Sequence, residues 1–214
     1  MYRNRQEAGK MLANKLKQYA YQPDVIVLAL PRGGVPVAYE IATALSVPLD
    51  IFIVRKLGVP GHEELAMGAM AMDGTIIFNE AILQELRISQ TDIAQVTQME
   101  KKELQRRELA YRGQRPFPVL QGKTIILVDD GIATGATMRA AITALRKQQP
   151  QKMIVAVPVA DLSIYMEIGT LVDEIVAPLK PEYFHAVGAW YEDFAQTTDA
   201  EVHALLAKSH LNNK

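Results

Sequence analysis

The sequence predicts an α/β fold in which a mainly parallel sheet carries helices on both faces, with a small hood and a mobile loop and hairpin. Two observations predict it. Short continuous apolar runs, such as Val25-Ile-Val-Leu-Ala-Leu30 and Thr124-Ile-Ile-Leu-Val128, read as strands buried on both faces. Segments with apolar residues at helical spacing follow them, and strands alternating with helices imply a parallel sheet. The 214 residues are 49% hydrophobic and 22% charged, a globular composition that excludes disorder. One domain over 1–214 is expected, with a core at 20–178, an insertion at 55–120 and a C-terminal hood segment at 178–214.

Taken in order, residues 4–19 place Ala8, Met11, Leu12, Leu16 and Tyr19 on one helical face. Residues 21–24 are a turn, and the first strand runs over 25–30. A helix over 35–45 carries Pro36 in its first turn, where proline is tolerated, and a second strand spans 49–54. Residues 55–68 hold Gly58, Pro60, Gly61 and Gly68 and read as a long irregular loop, of the kind that often covers an active site. Asp73-Gly74 between 67–72 and 75–78 signals a hairpin. One charged helix is expected over 79–112. Strands at 124–128, 153–159 and 174–177 then alternate with helices at 137–148, 161–169 and 198–207.

With no cysteine, disulfides, thiolate metal sites and cysteine nucleophiles are excluded. The net charge of −1 argues against a generally basic nucleic-acid binder. No apolar run approaches the ~18 residues of a membrane span, and the polar start lacks a secretory h-region, so a cytoplasmic protein is expected.

The most informative stretch is Ile125-Ile-Leu-Val-Asp129-Asp130-Gly-Ile-Ala-Thr134-Gly135-Ala136-Thr137. A buried strand ends in two carboxylates, a loop of small and hydroxyl residues follows, and a helix begins. Unpaired N–H groups at a helix start, with the dipole behind them, hold a phosphate. The carboxylates must face something else; a ribose diol offers O–H donors, and Mg²⁺ is the alternative. Neighbours in an extended segment point to opposite sides, so Asp129 and Asp130 should have different tasks.

Four apolar residues, two acids and T-G-x-T resemble the 5-phosphoribosyl-1-pyrophosphate (PRPP) motif of the type I phosphoribosyltransferases. The resemblance implies a type I phosphoribosyltransferase-like fold that moves the phosphoribosyl group of PRPP to a nucleobase-like nitrogen acceptor, with Mg²⁺ as cofactor. It implies that Asp129 and Asp130 hold the ribose hydroxyls or the metal, and that Ala133, Thr134, Gly135, Ala136 and Thr137 cradle the 5′-phosphate. Pro31-Arg32-Gly33-Gly34 is similar to the family's pyrophosphate loop, and Arg55-Lys56 to a pair that meets pyrophosphate in adenine phosphoribosyltransferases. In those enzymes a further loop lysine follows; Val59 stands near its place here. The resemblance implies that Glu64, or else Glu63, shortly before Gly68, corresponds to their proton-transfer residue, so Asp130, Arg55 and Glu64 are expected to carry catalysis.

Two features pull the acceptor in opposite directions. Ala133 stands where oxopurine enzymes have an acid, as adenine enzymes commonly do. Residues 177–194 resemble the base-binding hood of the hypoxanthine–guanine enzymes, which implies contacts to a base from Phe184, Val187, Trp190 and Tyr191. The whole set looks most like a bacterial group of phosphoribosyltransferases of unassigned substrate. A PRPP-sensing regulator without catalysis is the alternative. A homodimer is the default assembly.

Overall fold

A computed structural model describes residues 1–212. Five parallel strands form the main sheet: β1 Val25–Ala29, β2 Leu49–Ile51, β6 Thr124–Val128, β7 Lys152–Ala156 and β8 Glu174–Val176, in the order β2-β1-β6-β7-β8. The alternation of side chains divides the core between two faces. Val25, Val27 and Ala29 of β1, with Ile126 and Val128 of β6, pack against helices α1 (Arg5–Lys15), α2 (Gly34–Leu45), α4 (Gln90–Arg112) and α7 (Asp199–Asn212). Ile26, Leu28, Ile125 and Leu127 face α5 (Ala136–Lys147) and α6 (Leu162–Gly169). Burial on both faces explains why these strands read as unbroken apolar runs.

The expected strand over 49–54 divides at Phe52. Phe52 N–H still bonds to Ala29 of the main sheet, whereas Val54 opens a separate antiparallel sheet. That sheet has β3 Val54–Val59, β4 His62–Ala71 and β5 Ile76–Phe78 in sequence order. The irregular loop expected over 55–68 is therefore a hairpin, with only Pro60 and Gly61 left for its turn. Register shifts on either side of Gly58 explain the weak alternation in its sequence. The hairpin expected at Asp73-Gly74 is present as β4–β5, with Thr75 N–H bonded to Asp73 Oδ1 at 2.9 Å.

The helix expected over 79–112 is two helices, α3 Glu80–Glu85 and α4. Arg87 adopts a positive φ of 48°, and Ser89 caps a new start by accepting from Asp92 N–H at 3.1 Å. α4 is fixed to the main sheet by a buried ion pair: Arg112 Nε lies 2.9 Å from Asp50 Oδ1. β7 ends at Ala156 rather than Val159, because Pro158 has no N–H to give the ladder.

A third small cluster ties the ends of the chain together. Tyr2, Ala8 and Tyr191 are buried against one another, with Leu179, Val187, Trp190 and Phe194 around them.

Candidate phosphoribosyl site

β1 has β2 on one side and β6 on the other, so the chain reverses direction across the sheet between β1 and β6. In open α/β sheets a crevice forms at such a point, beyond the carboxyl ends of the strands. Two loops border it here: residues 30–33 after β1, with the Pro31–Arg32 peptide in the cis form, and residues 129–135 after β6.

The second loop makes a pocket of 200 Å³, lined by Asp129, residues 131–138 and Val187. Gly135 sits at φ 73°, a left-handed conformation that strains any residue with a Cβ, and it turns the chain into α5. Among the described residues, the backbone N–H groups of 133–138 donate to no protein acceptor. Thr134 and Thr137 are exposed, with hydroxyls likewise unengaged by protein partners. A row of idle amides and hydroxyls at the positive end of a twelve-residue helix is suited to an anion.

The two acids have different partners, although their carboxylates lie beside one another. Asp129 lines the pocket, and its Oδ1 accepts from Asp130 N–H at 2.8 Å. Burial, reinforced by the neighbouring Asp130, pushes the Asp129 pKa well above the ordinary carboxylate range. Asp130 faces Arg5 instead, whose Nε and Nη2 both lie 2.8 Å from its Oδ2. Its pKa is also raised by burial, with the Arg5 charge opposing the rise.

Gly33 and Gly34 lie against these acids, so the two loops touch through residues without side chains. Arg32 reaches Asp199 at the start of α7, 3.5 Å away. Asp199 accepts from the Tyr111 hydroxyl at 2.7 Å, and that bond, followed by Arg32, holds its pKa below the usual range. Arg55 and Lys56 line a different cavity of 510 Å³ between the β3–β4 hairpin and α4. There Arg55 is held 2.6 Å from Glu100. Glu64 lies in β4, but its side chain falls outside the described residues.

Of the four hood residues, Val187 reaches the pocket. Phe184 and Trp190 are half-buried. Tyr191 is 5% exposed, and its ring stacks on Phe194 at 5.0 Å and contacts Tyr2 at 5.6 Å. Those neighbours take the ring surface that base stacking would need. Its hydroxyl donates to the Asp130 carbonyl at 2.6 Å, so Tyr191 supports the loop from below instead. Arg5, Glu100 and Asp199 are not among the residues that the sequence singles out.

Among the described residues, no cluster of three or more His, Cys, Asp or Glu is arranged to cage a metal. The adjacent carboxylates of Asp129 and Asp130, the second paired with Arg5, are the oxygen donors that would hold Mg²⁺ here.

The phosphoribosyl transferase domain model matches residues 2–190. The chain belongs to the phosphoribosyltransferase family. Within that family, a Mycobacterium tuberculosis protein provisionally named phosphoribosyl transferase is 41% identical over 210 residues, 98% of this chain and 47% of its own length. The chain thus spans about half the length of these curated relatives. The bifunctional protein PyrR of Chloroflexus aurantiacus is 32% identical over 123 residues, 53% of this chain and 58% of its own. The crystal structure of TT1426 from Thermus thermophilus superposes with a TM-score of 0.82 at 38% identity, covering 97% of this chain and 98% of that one. The α/β phosphoribosyltransferase fold, with its separate antiparallel sheet, agrees with the expectation from sequence. No described helix is long and apolar enough to cross a membrane.

Proposed function

We propose that this phosphoribosyltransferase domain binds PRPP and transfers its phosphoribosyl group to a nucleobase-like nitrogen, releasing pyrophosphate. The observation that carries the reading is the run of unengaged amides at residues 133–138 around the 200 Å³ pocket. These amides, with the hydroxyls of Thr134 and Thr137, hold the 5′-phosphate. Asp129 and Asp130 accept from the ribose hydroxyls. The acceptor nitrogen attacks the anomeric carbon as the bond to pyrophosphate breaks; the electron pair leaves on a pyrophosphate oxygen, and the nitrogen gives up its proton.

Anchoring the phosphate orients the sugar for that attack. Negative charge grows on the leaving group; Arg32, next to the backbone of Gly33 and Gly34, is suited to meet it, and so are Arg55 and Lys56 once they are drawn from their own cavity beside α4. When bound, Mg²⁺ neutralises the pyrophosphate oxygens. Glu64 is the candidate for taking the proton, and Val187, Phe184 and Trp190 for contacting the base. The domain works as one unit, with the β3–β5 sheet as its cover, in the cytoplasm and in nucleotide salvage.

The test is pyrophosphate release from PRPP and Mg²⁺ across a panel of purine and pyrimidine bases. Turnover with one base supports transfer and names the acceptor. Tight PRPP binding without turnover on any base supports a sensor, a reading favoured by Val59 standing where a loop lysine would be. Absence of PRPP binding overturns both.

A further inference from the structure

The loop after β6 is held from outside by a residue that its pocket does not include. Arg139 stands in the first turn of α5, where a cation opposes the helix dipole and no acid of that turn offsets it. Its guanidinium is engaged twice. Nη2 donates to the Thr134 carbonyl at 3.0 Å, and Nη1 donates to Glu167 Oε1 on α6, also at 3.0 Å. The same guanidinium runs over Gly135: a Cβ there would stand 2.9 Å from Nη1 and 2.8 Å from Ile164 Cγ2. Thr134 and Gly135 line the 200 Å³ pocket, whereas Arg139 does not. The side chain thus spans α5, α6 and the loop while leaving the cavity free.

We propose that Arg139, braced by Glu167, is a positioning residue that sets the Thr134–Gly135 peptide with its carbonyl outward and so turns the Gly135 N–H towards the anion. That peptide is trans, so its C=O and N–H point in opposite directions and turn as one planar body. Fixing the carbonyl on the α6 side therefore fixes the N–H on the other, where it meets no protein acceptor. Gly135 needs such a hold, because a glycine at φ 73° has no Cβ to limit its rotation. A rigid fork that meets one carbonyl and one carboxylate suits arginine, whereas lysine is a point charge on a flexible stem. Arg139 and Glu167 keep side-chain exposures of 37% and 48%, so their pairing adds little to stability and acts on the shape of the loop. The anion is the 5′-phosphate of the PRPP reading, on which the functional half of the inference rests; the orientation of the peptide rests on the two bonds alone.

The experiment uses the full chain, isotope-labelled, with Arg139→Met, Arg139→Lys and Glu167→Gln. Calorimetry at physiological ionic strength, where distant charges are screened, measures affinity for inorganic phosphate and for ribose 5-phosphate. Nuclear magnetic resonance follows the Thr134 carbonyl carbon and the amides of 135–137. Arg139→Met is expected to lose about fivefold in affinity for both probes, the worth of one hydrogen bond. Its Thr134 carbonyl resonance should move upfield in the free protein, because the carbonyl has lost a charged donor. On adding ribose 5-phosphate, the Gly135 amide should no longer move downfield, while those of Ala136 and Thr137 still do. Its melting temperature should change by no more than about 3 °C. Arg139→Lys separates position from charge: affinity should recover only as far as the Thr134 carbonyl resonance does. Full affinity without that recovery would mean that Arg139 acts through its charge alone, and overturns the proposal. Glu167→Gln loosens the brace and should weaken binding by about twofold; a gain in affinity, as expected if the freed cation met the anion directly, overturns it as well. If the wild type binds neither probe, the PRPP reading fails, and the carbonyl resonance still decides the orientation: no change in Arg139→Met refutes it.

Discussion

Gly33 and Asp130 meet so closely that a Cβ on Gly33 would stand 2.0 Å from Asp130 Oδ2. The carboxylate cannot swing aside, because Arg5 holds the same oxygen. Gly33→Ala should therefore cost about 1–3 kcal/mol of stability, the usual penalty of overpacking. It should also weaken pyrophosphate binding at the loop it displaces. Urea unfolding and titration with pyrophosphate check the two effects, and an unchanged midpoint would contradict the contact.

Arg55 is bound to Glu100 at 2.6 Å, and a pyrophosphate group that recruits Arg55 must first break that pair. Glu100→Gln should then bind pyrophosphate about threefold to tenfold more tightly, on the order of 1 kcal/mol for a partly exposed pair. Arg55→Met should bind it more weakly. Equal affinities in all three proteins would remove Arg55 from the site.

Asp129 has a pKa raised by burial, first, and by Asp130. The folded state therefore holds its proton more tightly than the unfolded chain does. Stability falls as pH rises from the ordinary carboxylate range through that raised pKa, and the cost is fully present above it. Asp129→Asn carries no such charge. It should melt a few degrees higher than the wild type at pH 7–8, with the gain shrinking towards zero near the unfolded-state pKa of about 3.9. Melting curves across this range test the sign; a variant less stable at pH 8 would refute it.

Tyr191 gives its hydroxyl to the Asp130 carbonyl at 2.6 Å while its ring stacks on Phe194. Tyr191→Phe keeps the ring and removes the donor. The expected loss is about 1–2 kcal/mol, for a buried carbonyl left without a partner. Chemical denaturation measures it, and base affinity should change less than stability does.

The legible part of the chain is the part whose meaning is local. Residues 125–137 pass from strand to loop to helix in one continuous stretch, so their sequence alone locates the pocket. The glycines and proline at 58–61 mislead, because they serve register shifts and a tight turn inside a hairpin rather than a loop. Tyr191 reads as a surface for a base because nothing nearby in the sequence shows that Tyr2 arrives from the other end of the chain. Arg5 is illegible for the same reason: its carboxylate is 125 residues away. One local sign exists, since a cation in the first turn of α1 opposes the helix dipole and needs a compensating partner elsewhere.

The parallel pairing of Val25 with Thr124 has a consequence for how the molecule is made. The two halves of the crevice are neighbours in space but lie on opposite sides of the whole β2-to-α4 excursion. Contacts between distant stretches of chain form slowly, because the loop between them must be closed first. A nascent chain emerging from the ribosome has β1 and its glycines long before β6 arrives to complete the cleft. A small anionic metabolite added during refolding should accordingly leave the early collapse untouched and act only on the last, slowest phase.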